Sequence, residues 1–273
     1  MKRTFIFFVF IFLSFSGLNA QSIKLFGEAK PGNVVIGKAE KVKNITLDKV
    51  KLPIDKSGNF IFGFDRDAKG IHKLKIRYKN GRTEIRKIVL QKREYEIQKL
   101  NIDDKYVKPP KNELKRIKKE TAEMKSARKK IGKINTAYYS AGFVYPVENP
   151  ELTSLFGSQR VLNGVRKKSH NGIDFNAEEG TSVSAISDGK VIIAGNDFYY
   201  NGNFILIAHG HGLTSVYLHL SKLDVKTGDE VLKGQKIGEV GSTGRSTGSH
   251  LHLGVQLNNK RIDPLSLLEM KLE

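Results

Sequence analysis

The sequence predicts a mainly β protein with a small N-terminal β-sandwich, a basic linker helix and a C-terminal domain built on an antiparallel, barrel-sandwich type of β-sheet. Residues 22–100 consist of short alternating runs separated by turn residues, which is typical of a sandwich. Residues 108–133 carry apolar side chains at helical spacing. From about residue 141 glycine becomes frequent and the apolar runs are short again, which favours a second all-β domain.

The first twenty residues have the order of a secretory signal peptide. Lys2 and Arg3 form a positive segment, an unbroken apolar run follows at 5–13, and a small residue stands at Ala20. Because this run is short against the ~20 residues of a spanning helix, we expect cleavage near Ala20 rather than retention as a membrane anchor. The mature chain is therefore expected in the periplasm or cell envelope, with residues 1–20 removed.

The chain has no cysteine and a formal net charge of +19. The absence of cysteine excludes disulfides, lipoprotein acylation and thiolate metal sites, so a metal would be held by histidine and carboxylate. In an exported protein this charge favours the cell wall or an anionic lipid surface as the polyanionic partner. Nucleic acid is not expected, because the sequence contains no recognisable binding motif for it.

The segment that follows the signal peptide, residues 21–105, is expected to form an accessory β-sandwich module. Its clearest unit lies at 71–90, where apolar and basic residues alternate before the tight-turn pair Asn80-Gly81. We find no cluster of catalytic residue types in this module. It is therefore expected to have an accessory or binding role.

Residues 106–140 are expected to form a basic helical linker between the two β domains. Pro109-Pro110 ends the preceding structure, and a stripe of apolar residues then follows at helical spacing. The stripe consists of Leu114, Ile117, Met124, Ala127 and Ile131. Two interpretations stay open: the helix packs on one domain through this stripe, or its crowded lysines and arginines contact wall polymer or a membrane surface.

The chemistry is expected in the C-terminal domain, residues 141–273, which holds six of the seven histidines. In "SHNGIDF", His170 and Asp174 are four residues apart and lie on one face of an extended segment. In "SHLHLGV", His250 and His252 share a face because successive side chains of a strand alternate. One carboxylate and three imidazoles are thus candidates for a common site.

A further histidine, His219, lies in "SVYLHLS". Strand alternation places it on the face opposite the neighbouring apolar residues, together with Ser215 and Tyr217. Tyr217 is expected to pack beside the site. The alternative is that its hydroxyl donates a hydrogen bond to an oxyanion.

Two histidine nitrogens and one carboxylate oxygen make a tetrahedral zinc site whose fourth position is open to water. Water in such a position has a pKa near ~7, so hydroxide is available for attack at neutral pH. Hydrolysis also requires a group that takes the proton of the water and groups that stabilise the oxyanion. His219 and one member of the pair His250 and His252 are left over for these tasks.

Four segments together resemble the lysostaphin/LytM-type zinc metallopeptidases, over residues 145–266 almost continuously. They are "SHNGIDFNAEEGTSVSAISDGKV", "GNFILIAHGHGLTSVYLHLS", "GDEVLKGQKIGEVGSTGRSTGSHLHLGV" and "RIDP". The phrase "GNFIFGFDRDA" also resembles the β-module that precedes this domain in exported Gram-negative members. The departures are Ser249, where the family often has proline, and Ala208, where an acidic residue often stands.

The resemblance implies that His170, Asp174 and His252 ligate one zinc ion per chain, and that His219 and His250 are the catalytic pair. It also implies hydrolysis of the stem-peptide cross-links of peptidoglycan, with D-alanyl–diaminopimelate bonds expected in a Gram-negative type of wall. The alternative is a catalytically silent relative that binds the wall and activates another hydrolase. Such relatives typically lack one or more ligands, whereas all five positions are occupied here.

Other histidines and lysines are expected to have no catalytic role. His209 and His211 flank a glycine turn and need not share a face, so we expect a structural hydrogen bond for His209. His72 is expected to be an ordinary surface residue. Lys226 and Lys233 lie in a segment that resembles biotinyl and lipoyl carrier hairpins, but neither has the flanking methionine of a modified lysine. Only barrel architecture is expected to be shared.

Overall fold

The computed structural model describes residues 23–101, 109–131, 134–166 and 168–272. The predicted signal peptide lies outside these residues and stays a prediction. Most regular structure in the described ranges is β-strand, which confirms the predicted fold class. No helix within these ranges is long and apolar enough to cross a membrane.

The N-terminal half contains two antiparallel sheets that pack face to face. Its strands are β1 (Ile23–Phe26), β2 (Val34–Ala39), β3 (Val42–Leu47), β4 (Val50–Leu52), β5 (Asn59–Gly63), β6 (Ile71–Tyr78) and β7 (Thr83–Val89). One sheet has the order β1-β2-β5 and the other β4-β3-β6-β7. The expected hairpin at 71–90 forms as β6 and β7, and its inward residues Leu74, Ile76 and Tyr78 lie in the sandwich core.

The first of these sheets is buried on both faces, which explains why β2 is apolar along almost its whole length. Val35 contributes to the sandwich core, whereas Val34 and Ile36 belong to the core of the C-terminal half. Ile61 of β5 joins them there. The accessory module therefore packs directly against the C-terminal domain.

The next strand, β8 (Ile97–Leu100), belongs to a sheet of the C-terminal half. The remaining strands are β9 (Glu151–Ser154), β10 (Gln159–Leu162), β11 (Val165–Arg166), β12 (Gly172–Asn176), β13 (Ser182–Ser184), β14 (Gly189–Phe198), β15 (Gly202–Gly210), β16 (Leu213–Leu220), β17 (Lys222–Leu223), β18 (Glu230–Val231), β19 (Lys236–Glu239), β20 (His250–Leu257) and β21 (Lys260–Ile262). Strand β8 pairs in parallel with β10, which also pairs with β11.

The main sheet of the C-terminal domain has the order β18-β14-β15-β16-β20-β12-β9, with β21 beside β20, and all of its pairings are antiparallel. A smaller sheet, β13-β19-β17, covers part of one face. The large core between them includes Ile173, Tyr217, Leu251 and Leu253, all fully buried. The opposite face of the main sheet carries the candidate site.

The linker helix, α1 (Leu114–Ile131), packs on this second face. Ala127 and Ile131 are buried against a set of sheet residues from β14 and β15. That set is Ile193, Phe204, Leu206 and Ala208. The packed-helix interpretation holds for the C-terminal part of the stripe, but Leu114 is 52% exposed, so its N-terminal end does not pack. A short helix, α2 (Leu265–Leu268), closes the described chain.

Candidate metal centre

The centre begins with two strands whose register brings a carboxylate opposite an imidazole. Asp174 of β12 pairs directly with His252 of β20. Because directly opposed side chains of antiparallel strands lie on one face, Asp174 Oδ1 and His252 Nδ1 are 2.8 Å apart. Leu251 and Leu253 point into the core, so the predicted alternation that puts His250 and His252 on the other face is confirmed.

The third residue, His170, precedes β12 and is held by its backbone and its ring. Its N–H donates to Ser158 O at 2.9 Å, and its ring Nδ1–H donates to Leu155 O at 3.1 Å. This bond leaves the lone pair on Nε2. His170 Nε2 lies 3.1 Å from Asp174 Oδ1 and 3.1 Å from His252 Nδ1.

Asp174 Oδ1, His170 Nε2 and His252 Nδ1 thus converge on one point. Together these three atoms can serve as the ligand set of a cation. Without a proton or a metal between them they would repel one another. Burial raises the pKa of Asp174, but the hydrogen bonds and charge of His170 and His252 outweigh it and hold that pKa far below its usual range. The two nitrogens and one oxygen fit the ligands of a catalytic zinc, and no thiolate or further carboxylate joins this group among the described residues.

Gly172 is the residue that allows this close approach. A β-carbon there would lie 2.3 Å from Leu253 O and 2.8 Å from His252 Nε2. Both separations are shorter than van der Waals contact, so any side chain would push β12 away from β20. The glycine of "SHNGIDF" therefore sets the distance between the two strands that carry ligands.

His219 reaches the same site through a bulge in β16. Tyr217 pairs with Ile205 and Leu220 with Asn203, so Leu218 and His219 together face one residue of β15. His219 has a φ of 68°. The extra residue lets two consecutive side chains point to the same face of the sheet.

The prediction that His219 shares a face with Tyr217 is therefore wrong. Tyr217 is fully buried in the core, where its hydroxyl accepts a hydrogen bond from Ile186 N–H at 2.8 Å and lies 3.1 Å from Ser215 Oγ. Neither packing beside the site nor oxyanion binding is available to Tyr217. Strand alternation failed here because the bulge shifts the register just before His219.

His219 and His250 form a second pair beside the metal centre. Their ring centroids are 4.9 Å apart, and the His219 ring is 6.5 Å from that of His252. His219 Nδ1–H donates to Thr243 O at 2.9 Å, which leaves the lone pair on Nε2. Burial lowers the pKa of His219 to about 4, so this ring is neutral at pH 7 and can accept a proton.

His250 is the more exposed member of the pair. Its Nδ1–H donates to Gly248 O at 2.9 Å, and Ser246 Oγ lies 3.2 Å from the same nitrogen. All five predicted site residues are thus brought together on one face. Leu155, Thr243 and Gly248 orient three of the rings. They could not be predicted from the sequence, because they act through backbone carbonyls and leave no side-chain signal.

The remaining histidines have structural partners. His209 is fully buried, with Nδ1 2.7 Å from Asp188 O and Nε2 2.7 Å from Ser215 Oγ, which confirms its expected structural role. His211 lies 2.9 Å from Tyr139 Oη and 3.0 Å from Asn135 O, so it joins the segment after α1 to the β15–β16 hairpin.

Comparison with known proteins identifies the type of domain that carries the site. The model of peptidase family M23 matches residues 168–264, which include all five histidine and aspartate positions. The chain is 40% identical over 123 residues to the peptidoglycan DD-endopeptidase ShyA of Vibrio cholerae, an alignment that covers 44% of this chain and 28% of that protein. The chain thus spans less than a third of this curated relative.

Two solved structures extend the comparison. The catalytic domain of the antimicrobial peptidase lysostaphin from Staphylococcus simulans is 38% identical, with 44% of this chain and 93% of that chain covered and a TM-score of 0.40. A peptidase M23 from Pseudomonas aeruginosa is 29% identical, with 88% of this chain and 95% of that chain covered and a TM-score of 0.62. The second likeness includes the N-terminal half as well as the domain that carries the site.

Proposed function

Because the chain belongs to peptidase family M23, we propose that it is an exported zinc endopeptidase that hydrolyses the peptide cross-links of peptidoglycan. The observation that carries this proposal is the convergence of five side chains on one sheet face. Three of them, His170, Asp174 and His252, have ligand atoms 2.8–3.1 Å apart. The other two, His219 and His250, lie beside them with a free ring nitrogen each.

His170, Asp174 and His252 would hold the zinc. When bound, zinc acts as a Lewis acid that makes water nucleophilic near neutral pH and polarises a peptide carbonyl. The carbonyl of Leu155 keeps the His170 ring in the tautomer that offers Nε2. Strand pairing between β12 and β20 fixes the carboxylate and the His252 ring before substrate arrives.

The second histidine pair, His219 and His250, serves proton transfer and stabilisation of the oxyanion. His219 is neutral and offers Nε2, so it accepts the proton of the attacking water. His250 is half-exposed and lies beside His219. Its Nδ1 is engaged by Gly248 O, so Nε2 is the ring atom available to hydrogen-bond the oxygen that gains negative charge. Thr243 and Gly248 keep both rings in the required orientation.

The substrate and the location rest on different observations. ShyA is a peptidoglycan DD-endopeptidase, which supports D-alanyl–diaminopimelate cross-links as the bond cleaved here. The order of charges, apolar run and small residue at 1–20 supports export and cleavage near Ala20. The excess of lysine and arginine is consistent with an anionic wall as the setting of the reaction.

The first test pairs two measurements on the purified mature chain. We expect about one zinc ion per chain by elemental analysis, as for a three-ligand catalytic site. With peptidoglycan of the diaminopimelate type, we expect cross-linked muropeptide dimers to decrease, monomers to increase, and a chelator to stop both changes. Zinc without cleavage would point to an inhibited site, whereas neither zinc nor cleavage would favour the silent wall-binding alternative.

Single variants separate the roles of the histidines. His252→Ala should lose zinc and activity together, because it removes a ligand. His219→Ala should keep zinc and lose at least ~100-fold in kcat, which is typical of a lost general base. His72→Ala is the matched control, since His72 lies in the N-terminal sandwich and should affect neither measurement. If His219→Ala kept nearly full rate, the assigned role of His219 would be wrong.

A further inference from the structure

Helix α1 forms one wall of a groove on the sheet face that carries the metal centre. The helix packs on β14 and β15, whereas the ligands His252 and Asp174 lie on β20 and β12. Only β16 separates β15 from β20, so the packed helix lies about 10 Å from the ligand-bearing strand at ~4.8 Å per strand. Val216 and Leu218 of β16 are half-buried between the two.

The N-terminal part of the helix is fixed at this position by polar contacts. Arg116 pairs with Asp197 at 3.1 Å, and Glu120 accepts the backbone N–H of Tyr199 at 3.0 Å. Glu120 also pairs with Arg116 at 2.8 Å. These contacts hold α1 against the hairpin that joins β14 to β15, so the groove has a fixed width.

The groove has a volume of about 640 Å³ and combines apolar and cationic surfaces. Met124 and Phe198 are among the apolar residues that line it, and Gln256 and Asn259 offer amide groups. The cationic residues are Lys125, Arg128 and Lys129, all on the groove side of α1. Such a mixture suits a peptide that carries a negative group.

The charge of these three cations is not neutralised within the described residues. None of them has an ion-pair partner there, and the acid that lines the groove, Glu120, is engaged by Arg116. Arg128 Nε is buried and has no hydrogen-bond partner in the part of the chain that the structure describes. Burial and the nearby charge of Arg261 lower the pKa of Arg128.

We propose that this groove is a substrate subsite, in which Arg128, with Lys125 and Lys129 at the rim, binds a carboxylate of a peptidoglycan stem peptide. The proposal rests on the proposed function for the identity of the peptide. Guanidinium can bind carboxylate with two parallel hydrogen bonds, and Arg128 lines the groove from the helix side. Gln256 and Asn259 line the same groove on the side of β20.

The distance between the groove and the ligands fits such a substrate. His252, Gly254 and Gln256 alternate on one face of β20. His252 and Gln256 are therefore separated by about 13 Å at ~3.3 Å per residue, which is the length of four extended residues. A stem peptide of about that length, cut at the metal centre, can place a carboxylate at Arg128.

The test measures binding and turnover with a stem tetrapeptide in two forms, with free carboxylates and with the carboxylates amidated. Four proteins are compared: the full mature chain and its variants Arg128→Gln, Lys125→Gln and Lys119→Gln. Lys119 is exposed and lies half a turn around α1 from Arg128, so it is a control of equal charge loss. Lys125 is also exposed, so its variant keeps the test valid if Arg128→Gln fails to fold.

We expect Arg128→Gln and Lys125→Gln to weaken calorimetric binding of the free acid by about tenfold and about threefold, as for loss of a charge-assisted and a rim contact. For cross-linked muropeptides the same variants should raise KM and keep kcat. The amidated peptide should bind all four proteins equally. Equal losses for both peptides, an equal loss in Lys119→Gln, or unchanged binding of the free acid would overturn the subsite.

The two proposals fail in different ways. If the wild-type chain prefers the free acid, and the two groove variants lose that preference, the subsite stands even where no cross-link is cleaved. If the chain cleaves cross-links but binding responds neither to amidation nor to the variants, the endopeptidase stands and the subsite is wrong.

Discussion

A buried histidine outside the metal centre makes the stability of this protein sensitive to acid. His209 is fully buried, and both of its ring nitrogens are engaged, by Asp188 O and Ser215 Oγ. Burial lowers its pKa to about 4, against an unperturbed value of 6.5. The native state therefore keeps His209 neutral over a pH range in which the unfolded chain binds a proton.

The sign and size of the effect follow from this difference. A group with a lowered native pKa stabilises the fold fully above the unfolded pKa, and this contribution is lost as the pH falls from 6.5 toward 4. At about 1.36 kcal/mol per pKa unit, protonation linked to His209 alone lowers the free energy of unfolding by about 2 kcal/mol at pH 5 and by about 3 kcal/mol at pH 4. This loss is a large part of the free energy of unfolding of a typical folded domain, which is roughly 5–15 kcal/mol.

The perturbation is His209→Asn, which keeps a donor for Asp188 O and cannot titrate. Urea unfolding of the zinc-free protein, followed by circular dichroism between pH 7 and pH 4.5, measures the free energy of unfolding of both chains. The variant should be less stable at pH 7, because Ser215 Oγ loses the closer of its two hydrogen-bond partners and keeps only Tyr217 Oη. As the pH falls to 4.5, the wild type should lose about 2.5 kcal/mol more than the variant.

The control is Ser215→Ala, which removes the hydroxyl beside Nε2 but leaves His209 buried. It should lower stability at every pH and keep the pH dependence of the wild type. If His209→Asn and wild type lost stability in parallel from pH 7 to pH 4.5, acid sensitivity would not arise from His209 and its buried neutral state would be refuted.

Three further substitutions test other parts of the fold and site. Gly172→Ala should weaken zinc binding by about tenfold or more, measured by competition with a chromophoric chelator, because its β-carbon would meet the ring of His252. Tyr217→Phe should cost about 1–3 kcal/mol in urea unfolding and leave kcat unchanged, since its hydroxyl lies in the core; a fall in kcat would restore the oxyanion role. Arg93→Ala should cost about 3 kcal/mol, because it leaves the buried carboxylate of Asp263 unpaired, and no change in the unfolding midpoint would contradict this.

The alternation of a strand was enough to predict part of the site. His250 and His252 lie on one face because Leu251 and Leu253 fill the core on the other, and no register shift interrupts the pairing of β20 with β12. His170 is different. It lies before β12, so its position depends on hydrogen bonds to distant backbone groups rather than on strand geometry.

The bulge at Leu218–His219 could not be predicted by the same rule. A bulge depends on how many residues of β16 oppose one residue of β15, and that count is a property of the pairing, not of either strand alone. The family resemblance identified His219 as catalytic for a reason independent of geometry. Alternation alone would have kept Tyr217 and His219 together.

The long-range contacts of the linker helix also could not be predicted from the sequence. The apolar stripe of α1 predicted that some surface would cover Ala127 and Ile131, but not that this surface is the face that carries the zinc ligands. Likewise, the buried ion pair between Arg93 and Asp263 joins residues 170 positions apart. Spacing along a chain contains no information about such pairs.

Helix α1 adds a surface to the proposed site from outside the region that matches the family model. The matched family region begins at residue 168, so it contains the three proposed metal ligands and the two proposed catalytic histidines but not α1. The helix nevertheless forms a wall of the groove, and its cations face the path along β20 that leads from His252 to Gln256. The proposed cleavage site therefore lies within the matched domain, whereas the proposed carboxylate subsite is formed in part by a helix that precedes it. Substitutions in α1 should change KM among substrates of different charge, and substitutions at the ligands should abolish turnover for all of them.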